Sequence, residues 1–165
     1  MRVFGIDPGS TCTGYGVVER SRGRLFHIAS GSIRTKSDEP MGDRLLRIYT
    51  GLCEALAATK PDCVAIEAIF RHKSSESALR LGQARGVAIL AAAQAGHAAA
   101  EYNPMAVKKA VGAHGAADKD SVARMVRMLL GVTPEGPADV TDALAIAITH
   151  SHSLASPLVR AGVVR

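Results

Sequence analysis

The sequence predicts an α/β domain built on a mixed β-sheet. Three observations carry that expectation. The first third holds short apolar runs separated by glycine-containing turns, which is the pattern of an antiparallel meander. The middle alternates strand-like and helix-like periodicity, which implies right-handed crossovers and parallel pairing. The chain has 165 residues, 47% of them hydrophobic, enough for one sizeable core. Residues 1–155 are expected to form a single domain, and residues 156–165, which lack a pattern, a loose C-terminal tail.

In order, Val3, Phe4 and Ile6 read as a short buried strand that ends at Asp7. Pro8 and Gly9 cannot continue a central strand, so the chain turns there. Residues 13–19 read as a second strand whose alternating glycines strip one face of side chains. Another backbone, or a ligand, can then approach closely. A turn at Gly23 leads to a third strand over 25–33, interrupted by Gly31. Pro40, with Asp38 or Glu39, opens a helix reaching about residue 59, with Leu45, Ile48, Leu52 and Leu56 at helical spacing. Cys63 to Ile66 form a fourth apolar run, and Glu67 ends it. Ser74 or Ser75 can cap the next helix, to about Gln94, where Gly82, Ala84, Gly86 and Ala88 permit close helix contact. A weak fifth strand ends at Tyr102. Asn103-Pro104 starts a short helix with Val107, Lys108 and Lys109. Helices over about 118–130 and 138–152 complete the chain.

Composition removes several function classes. Cys12, Cys53 and Cys63 are odd in number and scattered, so they suggest neither a disulfide framework nor a zinc knuckle, and a reducing cytoplasm is expected. The N-terminus enters a strand at once, which argues against a signal peptide. The longest apolar stretch, residues 86–93, is too short to span a bilayer, so no membrane role is expected. The histidines form no HExxH pattern. The net charge of +5 is compatible with a nucleic-acid partner without requiring one.

The acids are more informative. Asp at the end of a strand often only stabilises a turn. Here Asp7 and Glu67 both stand at carboxyl ends after short apolar runs, on the faces of Gly5 and Ala65. If their strands are parallel neighbours, both side chains reach one spot. Asp139 and Asp142 are three apart on a helix and share a face. The helix dipole accounts for Asp139. It accounts less well for Asp142, which apolar residues follow on almost every side. A carboxylate in a buried helix needs a cation or a metal. Four converging acids repel one another, and divalent cations offset that repulsion. Hard oxygen ligands suit Mg²⁺ or Mn²⁺. Two such ions, roughly 3.5–4 Å apart, suit phosphodiester hydrolysis.

These residues resemble the RuvC family of Holliday junction resolvases. The similarity runs from Gly5-Ile6-Asp7-Pro8-Gly9 through Ala65-Ile66-Glu67, Leu81-Gly82-Gln83-Ala84-Arg85-Gly86, Tyr102-Asn103-Pro104 and Val107-Lys108 to Ala138-Asp139 and Asp142-Ala143-Leu144-Ala145-Ile146-Ala147. The resemblance implies an RNase H-like fold, with a five-stranded mixed sheet flanked by helices. It implies a homodimer that makes paired nicks in four-way junction DNA, with Asp7, Glu67, Asp139 and Asp142 as the metal-binding catalytic set. It implies Mg²⁺, two ions per site, with Mn²⁺ as a substitute, and RuvA and RuvB as partners. Lys108 and Lys119 match family lysines near the DNA backbone, and Phe70 an aromatic near the junction centre. Ser74 and Ser121 stand where many members carry Asn and Gln, which bears on junction contact.

Phe70, Arg71, Lys73, Arg80 and Arg85, with Lys108 and Lys119, form the expected DNA-binding set. From the residues alone, a solvated face accounts for the charges and a core position for Phe70. Two other functions compete. Asp7-Pro8-Gly9-Ser10-Thr11 also resembles a phosphate loop of actin-like ATPases, but those enzymes need two such domains around a cleft. A DNA-binding module without catalysis would not need four acids.

Overall fold

The computed structural model describes residues 1–68, 74–112 and 119–155. Their elements are β1 (Arg2–Asp7), β2 (Cys12–Ser21), β3 (Arg24–Arg34), α1 (Met41–Thr59), β4 (Cys63–Glu67), α2 (Ser75–Gln94), β5 (Ala99–Tyr102), α3 (Pro104–Ala110), α4 (Lys119–Leu130) and α5 (Ala138–Ala155). The expected tail, 156–165, lies outside the described residues.

The strands form one five-stranded sheet in the order β3-β2-β1-β4-β5. β1, β2 and β3 pair antiparallel, while β1 with β4 and β4 with β5 pair parallel. The predicted meander and parallel pairing are both present, and β1 is the strand where they meet.

Alternation along the strands divides the core in two. Phe4, Ile6, Val64 and Ile66 pack under α1 and α2, with Ile48, Leu52, Ala84 and Ala88. Val3 and Ala65 pack on the other face with α3, α4 and α5, through Val107, Val126, Leu144 and Ile148. Val3, Gly5 and Asp7 therefore face α5, as do Cys63, Ala65 and Glu67.

Three local expectations need correction. Gly31 does not interrupt β3. It pairs with Tyr15, whose ring lies where a side chain on residue 31 would stand, and the register shift falls at Val17/Val18 instead. Pro40 is the N-cap of α1 rather than part of its first turn, with φ −53° and ψ 139°, and no side chain caps that end. Glu39 instead pairs with Arg47, 2.9 Å away. On α2 the close packing comes from Ala84, Ala88, Ala91 and Ala92, while Gly82 and Gly86 face open space. Ser74 does cap α2, accepting the Ser77 N–H at 3.2 Å.

Candidate active site

The parallel register pairs Ile6 with Ile66, so Asp7 and Glu67 are level, one step on, at the ends of neighbouring strands. Opposite Asp7 on its other side stands Gly14. The bare faces of Gly5, Gly14 and Gly16 admit a backbone, that of α5. A Cβ at Gly5 would lie 2.2 Å from the Ala143 carbonyl oxygen, and one at Gly14 2.0 Å from that of Asp139. Short side chains on the sheet thus lay the acid-bearing turn of α5 directly over the strand ends.

Asp7, Glu67 and Asp142 line one cleft of about 320 Å³, with Lys108, Pro104, Val107, Val122 and Ile146. All three acids are half-buried. Lys108 reaches this cleft because Asn103 caps α3, accepting the Ala106 N–H at 2.8 Å, and buried Val107 anchors it. A larger cavity, about 500 Å³, lies between the ends of α1 and α2, but its lining of Cys53, Leu56, Lys60, Ala91 and His97 gathers no acids.

Asp139 is not part of the cleft lining. It lies one helical turn before Asp142, over Gly14 and beside Cys12. The Cys12 thiol is pushed up to about 11, first by burial, then by the charge of Asp139 and a hydrogen bond to its carboxylate. Cys12 therefore stays a neutral thiol that donates to Asp139.

The donor set tests the expected cation. The lining offers carboxylate oxygens and no thiol or imidazole, which suits Mg²⁺ or Mn²⁺ rather than Zn²⁺. The acids flank the cleft without closing on one point: among the described residues, no group of three or more His, Cys, Asp or Glu side chains stands ready to hold an ion.

The structure shows supports that sequence reasoning missed. Arg44 on α1 is 2% exposed. Its guanidinium donates to the Ser10 carbonyl at 2.6 and 3.1 Å and to the Thr35 hydroxyl at 3.3 Å. Thr35 donates to the same carbonyl at 2.6 Å, and Thr13 donates to the Gly9 carbonyl at 2.8 Å. The loop after Asp7 is thereby fixed from three sides. A signal was available, since Arg44 occupies the first position of the stripe Ile48, Leu52, Leu56 and so falls on the buried face.

The expected DNA contacts divide. Arg80 pairs with Glu76 on its own helix. Arg85 turns inward, 2.6 Å from Glu101 and 3.2 Å from the Glu67 carbonyl. Phe70, Arg71 and Lys73 lie outside the described residues, as does the side chain of Lys119. His150 and His152 on α5 each contact a neighbouring element. His150 Nδ1 lies 2.8 Å from the Tyr102 hydroxyl, and His152 Nδ1 lies 3.1 Å from the Ala110 carbonyl.

Among the described residues no helix is long and apolar enough to cross a membrane. Residues 3–150 match the family model of the crossover junction endodeoxyribonuclease RuvC. A Geobacter metallireducens protein of that name is 47% identical over 153 residues, 93% of each chain. One from Myxococcus xanthus is 51% identical, covering 91% of this chain and 80% of its own. Thermus thermophilus RuvC, solved in complex with a Holliday junction substrate, superposes with a TM-score of 0.84 at 40% identity, over 92% of this chain and 93% of its own. The mixed sheet flanked by helices is thus the RNase H-like fold that the resemblance implied, and the chain belongs to the RuvC family of crossover junction endodeoxyribonucleases.

Proposed function

We propose that Asp7, Glu67 and Asp142, joined by Asp139 from the preceding turn of α5, bind the divalent cations with which this endonuclease hydrolyses phosphodiesters in four-way DNA junctions. One observation carries the assignment: carboxylates from two adjacent parallel strands and a crossing helix line one cleft beside Lys108. Bound cations, two of Mg²⁺ or Mn²⁺, would neutralise the acids, activate the attacking water and stabilise the leaving oxygen. The strand acids are set by backbone pairing, and the helix acids by the close seating of α5. Carboxylates that flank a cleft can close on a cation by side-chain rotation. Lys108 offsets charge on the phosphate as the water attacks, with Lys119 in the same role.

Resolution needs two symmetric cuts, so the working unit is a two-fold homodimer. The face of α2 carrying Gly82 and Gly86 is the proposed contact: both glycines face open space, and Leu79 and Leu90 beside them are 64% and 57% exposed. Phe70 is proposed to stack on an unpaired base at the crossover, with Arg71, Lys73 and Arg80 on nearby phosphates. Residues 1–155 act as one domain followed by a tail, in the cytoplasm, with RuvA and RuvB as partners.

The test is nicking of a synthetic four-way junction with Mg²⁺. Asp7→Asn, Glu67→Gln, Asp139→Asn and Asp142→Asn should each nearly abolish cutting while retaining junction binding. Ca²⁺ should support cutting poorly, since it tolerates looser coordination. Full activity in any amide variant removes that residue from the set.

A further inference from the structure

We infer that Arg85 is a positioning residue for Glu67, and that its guanidinium serves the active site from inside the protein instead of holding DNA. This rests on the assignment of Glu67 to the catalytic set. Arg85 lies on α2, which packs on the sheet face opposite α5. From there its side chain reaches the carboxyl end of β4. Nε donates to the Glu67 carbonyl at 3.2 Å, and a terminal nitrogen pairs with Glu101 of β5 at 2.6 Å. The Arg85 side chain is only 16% exposed, so most of it is withdrawn from any docked duplex.

The two contacts work together. Glu101 and Glu67 stand on neighbouring parallel strands, and Glu101 pairs with Ile66 in the register. One guanidinium therefore bridges β5 to the last residue of β4. The next residue, Ala68, donates its N–H to the Tyr102 carbonyl at 2.8 Å, so the same end of the ladder is tied at two successive residues. β4 itself ends at Glu67. Without the Arg85 bond the terminal carbonyl of β4 loses a charge-assisted partner, and the strand end can fray. The Glu67 carboxylate is carried by that peptide unit, so fraying there displaces it. A displacement of about 1 Å can cost roughly 10²-fold in rate. Arg suits this role better than Lys, because its planar fork presents separate N–H groups to two acceptors in fixed directions.

The experiment compares Arg85→Met, Arg85→Lys, Glu101→Gln and Glu67→Gln in the full chain, using a labelled four-way junction. Three quantities are read: single-turnover cutting at saturating protein, junction affinity as a function of salt, and amide hydrogen exchange across residues 64–68. Arg85→Met should slow cutting at least tenfold and speed exchange at Ala68. Junction affinity and its salt slope should stay within twofold of wild type. Arg85→Lys should restore cutting only in part, and Glu101→Gln should fall between wild type and Arg85→Met. If Arg85→Met folds poorly, the lysine and glutamine variants carry the same comparison. The inference is overturned if the loss is in affinity, with a salt slope reduced by about one and an unchanged cutting rate, since that marks a phosphate contact. Wild-type cutting with unchanged exchange at Ala68 overturns it too. Failure of the underlying assignment is separately visible, because Glu67→Gln would then cut at the wild-type rate whatever Arg85 does.

Discussion

Replacing Gly14 with alanine should damage cleavage far more than it damages the fold. The new Cβ would lie 2.0 Å from the Asp139 carbonyl oxygen and 2.3 Å from its carbonyl carbon. Both sides of that contact are backbone, so no side chain can rotate away. Restoring ordinary contact near 3.4 Å requires the first turn of α5 to lift by about 1.4 Å. Overpacking of this kind costs about 1–3 kcal/mol. For a chain of this size that is a fall in Tm of roughly 2–12 °C, which leaves the protein folded at working temperature. The same lift moves Asp139 and Asp142 away from Asp7, whose strand partner is Gly14 itself. Misplacement by about 1 Å predicts a loss of order 10²-fold. The assay is single-turnover junction cutting well below the melting point, with binding followed by anisotropy. Gly42→Ala on α1 is the control, because a Cβ there meets nothing within 4 Å. It should cut normally and gain up to roughly 1 kcal/mol of helix stability. Wild-type cutting by Gly14→Ala would refute the proposed coupling of α5 to the strand ends.

Other outcomes follow from the same contacts. Tyr102→Phe removes a hydroxyl placed 2.8 Å from His150 Nδ1 and 2.7 Å from Ser153 Oγ, and should cost about 1–3 kcal/mol in thermal or urea unfolding, because the buried His150 ring loses its partner. Burial holds His27, His150 and His152 below the ordinary value of 6.5. Below that pH the unfolded chain takes up protons that the folded chain refuses, so stability should fall as pH drops from about 6.5. Melting curves between pH 7.5 and 5.5 check this, and His150→Gln should flatten the slope. Lys108→Ala should slow cutting more than it weakens junction binding. A purely salt-sensitive loss of affinity would make Lys108 a backbone anchor instead.

Much of this architecture was legible because strand parity is strict. Val3, Gly5 and Asp7 must share a face, as must Cys63, Ala65 and Glu67, so two acids could be placed before any contact was known. The glycine alternation in β2 announced a close neighbour but not which one, since it records room rather than the occupant. Asp142 stood out because apolar residues surround it on α5. Asp139 was harder to place: helical spacing puts it on the face of Asp142, whereas its position over Gly14 and beside Cys12 depends on how α5 crosses the sheet. The internal cations were the least legible. Arg44 shares the helical stripe of Ile48, Leu52 and Leu56, which marks its side as buried, whereas Arg85 resembles a surface charge in sequence; in both, the carbonyl that the guanidinium meets depends on tertiary packing.

The seating of α5 across β1 and β2 also bears on when this protein can become a nuclease. Asp7 and Asp142 lie at opposite ends of the described chain, about 135 positions apart. At roughly 5–20 residues per second, synthesis separates their appearance by about 7–27 s. Through that interval a nascent chain can build the meander, and then β4, from earlier residues, yet it lacks the helix that brings Asp142 over the strand ends. The proposed cutting centre is therefore assembled last. Chains stalled on the ribosome before residue 138 should be unable to nick junction DNA, which a stalled-translation nicking assay measures directly. Partial chains should thus lack the proposed centre through topology alone, with no inhibitor needed.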